Sequence, residues 1–411
     1  MNCLLSCHLS NRKSIERVWD RCGIIEGSFY KYVQVGYGYS LFSVRDSRIA
    51  KTRMFSLNPN MRLARVFLLV GFAPIIFAVD TLPKVEVTNI RRVYHNGEHN
   101  AFTDLIRWKG KFWLTFRSCP DGHMVHPTSS IRILCSSDAQ EWQEVHRFSV
   151  SRRDTRDPHF LVFQDKLFVY TGTWWSGDDT LPREEYDLNK HLGYAVYSEG
   201  GDSWSEPTQL EGTYGHYIWR AATHNGKAYL CARRKRNYSE QETGAGGASI
   251  VESAMLESED GLNWRFHSLF QADRGNETAF LFEESGNLLA ISRCGTDTAQ
   301  LGTAAPPWTE KKIVDLPTYL GGPLLARWGS RYLVGGRRNT ENGPKTALYW
   351  LVEETLSPIF ELPSGGDNSY PGFVELDDGS GLVSWYSSHE KNSEGESSTA
   401  IYLANLFLEK P

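Results

Sequence analysis

Arginines recur at the ends of short apolar runs along the second four-fifths of this 411-residue chain: Arg117, Arg156, Arg220, Arg293, and the adjacent Arg337 and Arg338. Interspersed at comparable positions are His99-Asn100, Asp157, Asn276-Glu277 and Ser369-Tyr370. A guanidinium offers a planar fork of donors that matches a carboxylate or another oxyanion, so arginines gathered at one place would suit an anionic ligand. The acidic residues among them, Asp157 and Glu277, are of the types that act as general acids and bases. Residues this far apart in sequence can act together only if the fold gathers them.

The elements that must do so are β-hairpins. After residue 79, runs rich in Trp, Tyr, Phe, Val, Leu and Ile pair across tight turns: Ala101–Trp108 with Phe112–Arg117, Phe160–Phe163 with Leu167–Thr171, and Ala221–His224 with Ala228–Ala232. Ala279–Phe282 with Leu288–Arg293, Leu324–Trp328 with Tyr332–Gly336, and Phe373–Leu376 with Leu382–Tyr386 continue the series. The turns, such as Lys109-Gly110, Asn225-Gly226 and Asp378-Gly379, are of the kind that two-residue hairpins favour. Helical periodicity is hard to find in the same region.

A second marker recurs between hairpins. Ser136, Ser198 and Ser258 are each followed six residues later by Trp142, Trp204 and Trp264, and in two of the three copies Asp138 or Asp260 occupies the third position. Such a turn lets the acidic side chain cap backbone N–H groups while the Trp packs between neighbouring sheets. Four-stranded units repeated at this spacing predict an all-β, six-bladed β-propeller over 80–411, with Lys84–Val93 closing the ring as the outer strand of the last blade. A five-bladed ring is the alternative, because the turn marker is lost around Trp308 and in the last two units. In either ring the starts of first strands and the ends of second strands open on one face, where the residues named above would line a common mouth.

The Ser-x-Asp turns resemble the Asp boxes of the sialidase superfamily. Asn276-Glu277, followed by a strand, a Gly turn and Arg293, is similar to that family's catalytic Glu leading to an arginine of its carboxylate-binding triad, and Tyr370 resembles its nucleophilic Tyr before the last blade. The resemblance covers residues 85–409. It implies a retaining glycosidase that is exo-acting on a terminal acidic sugar such as sialic acid, in which Glu277 polarises the Tyr370 hydroxyl so that a neutral oxygen attacks a sugar bearing a carboxylate. Arg293 and either Arg337 or Arg338 would hold that carboxylate, with Arg117 at the rim, and Asp121 or His123 would protonate the leaving oxygen.

The chain departs from the family pattern in its first blade. Where sialidases carry an Arg-Ile-Pro whose arginine completes the triad, this sequence reads His99-Asn100-Ala101-Phe102-Thr103-Asp104. Arg156-Asp157 and Trp219-Arg220 could substitute as anion clamps from other blades. Two further functions therefore stay open: a propeller that binds glycans without cleaving them, and a glycosidase for a different polysaccharide. The run Arg233-Arg234-Lys235-Arg236 reads as a solvated basic loop in preference to a glycan-steering patch.

Composition bounds these readings. With 40% hydrophobic and 23% charged residues the chain is of folded type, and of its formal charge of −5 the first 79 residues hold eleven Lys and Arg against four Asp and Glu, leaving 33 against 45 downstream. An acidic body of this kind makes nucleic acid an unexpected partner; a glycan or oligosaccharide is the expected one. Residues 61–79, with Arg62 and Arg65 before an apolar run ending at Ala78, have the layout of a secretory signal peptide, which predicts export to a secreted or periplasmic location and no stable membrane insertion after removal. Residues 1–60 read as a non-native or disordered extension, with Met61 as the true start. Four cysteines remain downstream, Cys119, Cys135, Cys231 and Cys294, a number that permits two disulfides without requiring them. No spacing calls for a metal, no cofactor is implied, and nothing selects an oligomeric state.

Overall fold

The hairpin turns form as their residues dictate. Asn225 and Gly226 both adopt positive φ (47° and 74°), as do Lys109 and Gly110 (48° and 74°), the pairing whose twist matches that of flanking strands. The computed structural model describes residues 82–238, 250–391 and 394–409, with three strand segments nearer the N-terminus. Contacts divide the chain at residue 79 into two units. In the first, Cys22–Ile25, Ser28–Val35 and Gly38–Ser43 pair antiparallel in that order. The segment 61–79 lies outside the described residues.

The second unit is a six-bladed β-propeller of antiparallel four-stranded sheets, so the six-blade expectation stands and the five-blade alternative falls. The first blade comprises His99–Trp108, Lys111–Cys119, Ser130–Ser136 and Gln143–Phe148, and the second Arg153–Phe163, Lys166–Trp175, Leu192–Ser198 and Thr208–Gln209. Tyr217–His224, Lys227–Lys235, Val251–Ser258 and Arg265–Gln271 form the third; Thr278–Phe282, Leu288–Cys294, Asp297–Ala304 and Lys312–Asp315 form the fourth. The fifth is Gly321–Trp328, Arg331–Thr340, Gly343–Val352 and Thr355–Glu361. The sixth takes Asn368–Glu375, Gly381–Lys391 and Ser397–Leu408 from the end of the chain and Val85–Tyr94 from its beginning, which closes the ring. Each innermost strand touches the next around the axis, the sixth meeting the first.

The apolar core lies between adjacent sheets. Leu161, Tyr170, Ile218, Leu230 and Trp264 interlock the second and third blades, and Leu324, Trp328, Trp350, Trp385 and Tyr402 the fifth and sixth. Each large apolar side chain so buried contributes about 1.5–3 kcal/mol. The Ser-to-Trp turns are built for this packing. Ser258 Oγ accepts from Gly261 N at 2.9 Å, Asp260 Oδ1 accepts from Leu262 N and Asn263 N at 2.8 Å each, and the buried Trp264 stands edge-on to Tyr170 of the preceding blade. Trp308 fills the equivalent gap between the third and fourth blades against Tyr229 and Phe282, although its Ser-x-Asp has gone. The four downstream cysteines are buried and free.

One irregularity recurs at the same height. In five blades the register of the innermost strand slips near its start, between Ala101 and Asp104, Arg156 and His159, Ile218 and Ala221, Gly321 and Leu324, and Ser369 and Gly372. Four of these bulges carry a residue of positive φ: Phe102 (63°), Asp157 (53°), Gly322 (57°) and Tyr370 (47°). A bulge kinks its strand and re-aims a side chain. Here it turns Phe102, Asp157, Trp219 and Tyr370 into one mouth of the channel.

Candidate active site

That mouth holds a cavity of about 430 Å³, lined among others by Arg156, Asp157, Arg233, Glu277, Arg293, Arg337, Asp367 and Tyr370. A more open groove of about 620 Å³ lies between the outer parts of the first two blades, but its lining is the turn around Trp142 with Lys111 and Asp202, and it gathers none of the buried, convergent groups of the axial cavity.

Tyr370 Oη donates to Glu277 Oε1 at 2.6 Å, and both residues are buried. Glu277 also accepts from Arg293 Nη1 at 3.0 Å and from the Gly322 backbone N–H at 2.9 Å. Burial pushes its carboxyl up, but Arg293, the Tyr370 hydroxyl and the Gly322 N–H outweigh burial and hold it below the ordinary range. Burial, reinforced by Asp157 and Glu277, drives the Tyr370 phenol well above its usual value. The pair is thus a neutral phenol hydrogen-bonded to an ionised carboxylate, and both shifts keep the proton on the phenol in the resting site. Gly322 is obligatory beneath it: besides its φ of +57°, a Cβ there would lie 2.4 Å from Tyr370 Cδ2.

Asp157 Oδ2 accepts from Tyr217 Oη at 2.7 Å and from Trp219 Nε1 at 2.9 Å, while its Oδ1 is buried without a partner among the described residues. Burial dominates and raises this carboxyl, helped by the nearby charge of Glu277. Asp157 and Glu277, both carboxyls of one cavity, are therefore pushed in opposite directions by their surroundings, the condition for separate acid and base roles.

On the first-blade side stands a cluster centred on Asp367. His99 Nε2 lies 3.0 Å and His123 Nδ1 2.7 Å from Asp367 Oδ2, and Tyr386 Oη donates to Oδ1 at 2.9 Å. Arg337 Nη1 is 3.5 Å from Oδ1. Burial works against the Asp367 charge, but the two histidines outweigh it and hold the carboxyl well below its usual value. Two histidines and a carboxylate could face a metal, but the donor chemistry is wrong. His99 Nδ1 lies 3.4 Å from Arg117 Nη1, an obligate donor, so Nδ1 accepts and Nε2 carries the hydrogen toward Asp367. A ligating histidine needs its second nitrogen to donate outward.

Several residues expected at the mouth are used elsewhere. Arg117 is fully buried and forms a two-point pair with Asp154 (2.9 and 3.0 Å). Its remaining N–H groups hold the Gly122 and Met124 carbonyls at 2.9 and 3.1 Å, so it anchors the loop carrying His123 and does not clamp a ligand at the rim. Arg220 points along the channel to Asp104 Oδ1 (3.0 Å) and the carbonyls of Pro323 and Pro371, because the bulge beside it turns Trp219 into the cavity instead. Asn100 bonds Asn96 and the Glu98 and Thr399 carbonyls. Asp121 is exposed, bonds Thr128 and does not line the cavity, whereas His123 does. Strand alternation separates Arg337, which faces the cavity, from Arg338, which pairs with Glu361 at 3.1 Å. Arg156 lines the cavity, donates to the His123 carbonyl at 2.5 Å, and sits 5.2 Å over the Phe102 ring.

The basic run is not a solvated loop. Arg234 and Arg236 both grip Glu252 (3.0 and 3.1 Å), while Arg233, on the other face of the same strand, enters the cavity beneath Trp174, Tyr217 and Trp219. Asp367 and Tyr217 complete the residues that sequence reasoning passed over. Tyr217 could have been found from register, since it pairs directly with Arg233 across the hairpin.

This architecture is that of a sialidase-like six-bladed propeller. No protein-family model matches the chain, and none of the curated proteins does. Among solved structures, a Dyadobacter fermentans protein of unknown function is similar at 18% identity and TM-score 0.63, over 80% of this chain and 100% of that one. Trypanosoma rangeli sialidase in complex with sialic acid is similar at 12% identity and TM-score 0.53, over 78% of this chain, which spans 59% of the sialidase's length. Phage phi92 endosialidase follows at 10% identity and TM-score 0.54, over 79% and 69% of the two chains.

Proposed function

We propose that the protein is an exported glycoside hydrolase that removes a terminal acidic sugar with retention of configuration, using Tyr370 as nucleophile. The observation that carries this reading is the buried 2.6 Å hydrogen bond from Tyr370 to Glu277, set among arginines at the floor of the axial cavity. As the bond from the anomeric carbon to its leaving oxygen breaks, the phenol oxygen attacks that carbon and its proton passes to Glu277. The leaving oxygen takes a proton from His123 or Asp157. Water then gives a proton to that same group as its oxygen displaces the tyrosyl oxygen from the anomeric carbon, and Glu277 returns the proton it took to the phenol. A neutral phenol approaches a carboxylate-bearing sugar without the repulsion a carboxylate nucleophile would meet. Arg293 and Arg337 supply the positive field for that carboxylate. His123 and the raised carboxyl of Asp157 are the proton donors available to the leaving group.

A second reading, a glycan-binding propeller without turnover, is favoured by one feature: Phe102 and Asp367 stand on the first-blade side, where a third arginine would complete a carboxylate clamp. A panel of fluorogenic glycosides, including a sialoside and uronides, separates the two. Dye release that disappears in Tyr370→Phe, with melting temperature kept, supports the hydrolase. Binding of the same glycosides without release, or release undiminished in Tyr370→Phe, rejects it. Export is part of the proposal and is tested by recovering mature protein, beginning near residue 79, outside the cytoplasm.

A further inference from the structure

Each cavity arginine but one has a carboxylate beside it. Arg293 lies 3.0 Å from Glu277, Arg337 3.5 Å from Asp367, and Arg156 3.6 Å from Asp154. Arg233 has no hydrogen bond or ion pair among the described residues, and its Nε is buried without a partner. Its surroundings are ring faces: Trp174 at 5.9 Å, Tyr217 at 5.8 Å and Trp219 at 5.4 Å from the guanidinium carbon.

The cage is rigid. Tyr217 and Trp219 are both tied to Asp157 Oδ2, and Tyr217 packs so closely on Gly172 that a Cβ there would lie 2.8 Å from its ring. The ring faces give this partly buried guanidinium about 0.5–2 kcal/mol, while its terminal N–H groups stay open to the cavity. The rings leave the N–H fork unused, and the carboxylate of Glu277 acts on the charge only at a distance, with no ion pair formed between the two.

We propose that Arg233 is the principal anion anchor of the cavity, taking the carboxylate or sulfate group of an acidic sugar, with the neighbouring rings against the sugar's apolar face. This rests on the reading of the cavity as a sugar site, and it moves the missing first-blade guanidinium to the third blade. Arg293 and Arg337, each already beside a carboxylate, then add to the positive field around that anion and do not grip it as the main fork.

Calorimetric titration of the intact protein with sodium sulfate, sodium glucuronate and neutral glucose, at constant ionic strength, tests it. The expected result is saturable binding of sulfate, glucuronate or both, weakened roughly tenfold or more in Arg233→Gln and less in Arg337→Gln. The sulfate and glucuronate arms tell which oxyanion is preferred. Absence of saturable anion binding, or equal binding by wild type and Arg233→Gln, overturns the proposal. If Arg233→Gln melts early, Arg233→Lys decides: weakened anion binding by this charge-conserving variant supports a role for the fork, and unchanged binding refutes it. None of these probes has a glycosidic bond to cleave, so a failure here is distinct from a failure of Tyr370 chemistry.

Discussion

Replacing Gly322 by Ala tests the central geometry without replacing either reacting group. The new Cβ would lie 2.4, 2.7 and 2.8 Å from three carbons of the Tyr370 ring. Carbon atoms rest at about 3.5–4.0 Å, so the ring or the fifth-blade strand must move by about 1 Å. The same shift disturbs the Gly322 N–H bond to Glu277. A displacement of that size costs on the order of 10²-fold in rate when the reacting atoms must be aligned. Backbone strain adds a separate effect, because Ala at φ +57° costs about 1–2 kcal/mol. Spread over the unfolding entropy of a domain of this size, that lowers the melting temperature by about 1.5–3 °C. Gly329 isolates the two contributions: its φ is +58°, yet a Cβ there meets nothing within 4 Å. Gly329→Ala should therefore show the loss in melting temperature with unchanged kcat/KM, and Gly322→Ala should show both losses. The assay is hydrolysis of whichever fluorogenic glycoside releases dye, beside calorimetric melting. Gly322→Ala turnover within twofold of wild type would refute the claim that the Tyr370–Glu277 alignment limits the reaction.

Burial lowers His99 and His216 to about 4 and His191 well below its usual value, so these side chains stay neutral in the fold while the unfolded chain protonates them below about pH 6.5. Stability should fall as pH drops from about 6.5 to 4, by on the order of 3 kcal/mol each for His99 and His216; melting followed across that range should decline less steeply in His216→Gln, and a flat wild-type profile would contradict the assignment. Asp154→Asn strips the buried Arg117 of its partner and should cost about 3–5 kcal/mol in urea denaturation, whereas Asp121→Asn, on the surface of the loop that Arg117 anchors, should change stability by less than about 0.5 kcal/mol.

The blades were legible because their information is local. Hairpin turns such as Asn225-Gly226 and the Ser258-to-Trp264 turn specify their own geometry within a few residues. Glu277, Arg293 and Tyr370 were legible by resemblance, and the structure brings them together. Where reading failed, the cause was a side-chain direction reversed over one residue. A strand's faces alternate with period two, so the bulge between Ile218 and Ala221 puts Trp219 in the cavity and sends Arg220 down the axis. The same alternation, overlooked in Arg233–Arg236, hides a cavity residue inside what reads as a charged loop. Asp367 sits in Ser364-Gly365-Gly366-Asp367, which reads as a turn, and only closure of the sixth blade beside the first brings it to His99 and His123.

The sixth sheet is stitched from both extremities of the domain, Val85–Tyr94 alongside Ser397–Leu408. During synthesis the earlier segment must wait for its mate to emerge some 300 residues later, about 15–60 s at ordinary ribosomal speed. For that interval the nascent disc is an open arc with two raw edges, each a template for another chain. Loss of even the final dozen residues would leave the finished protein in that state, with the histidine side of its mouth unsupported.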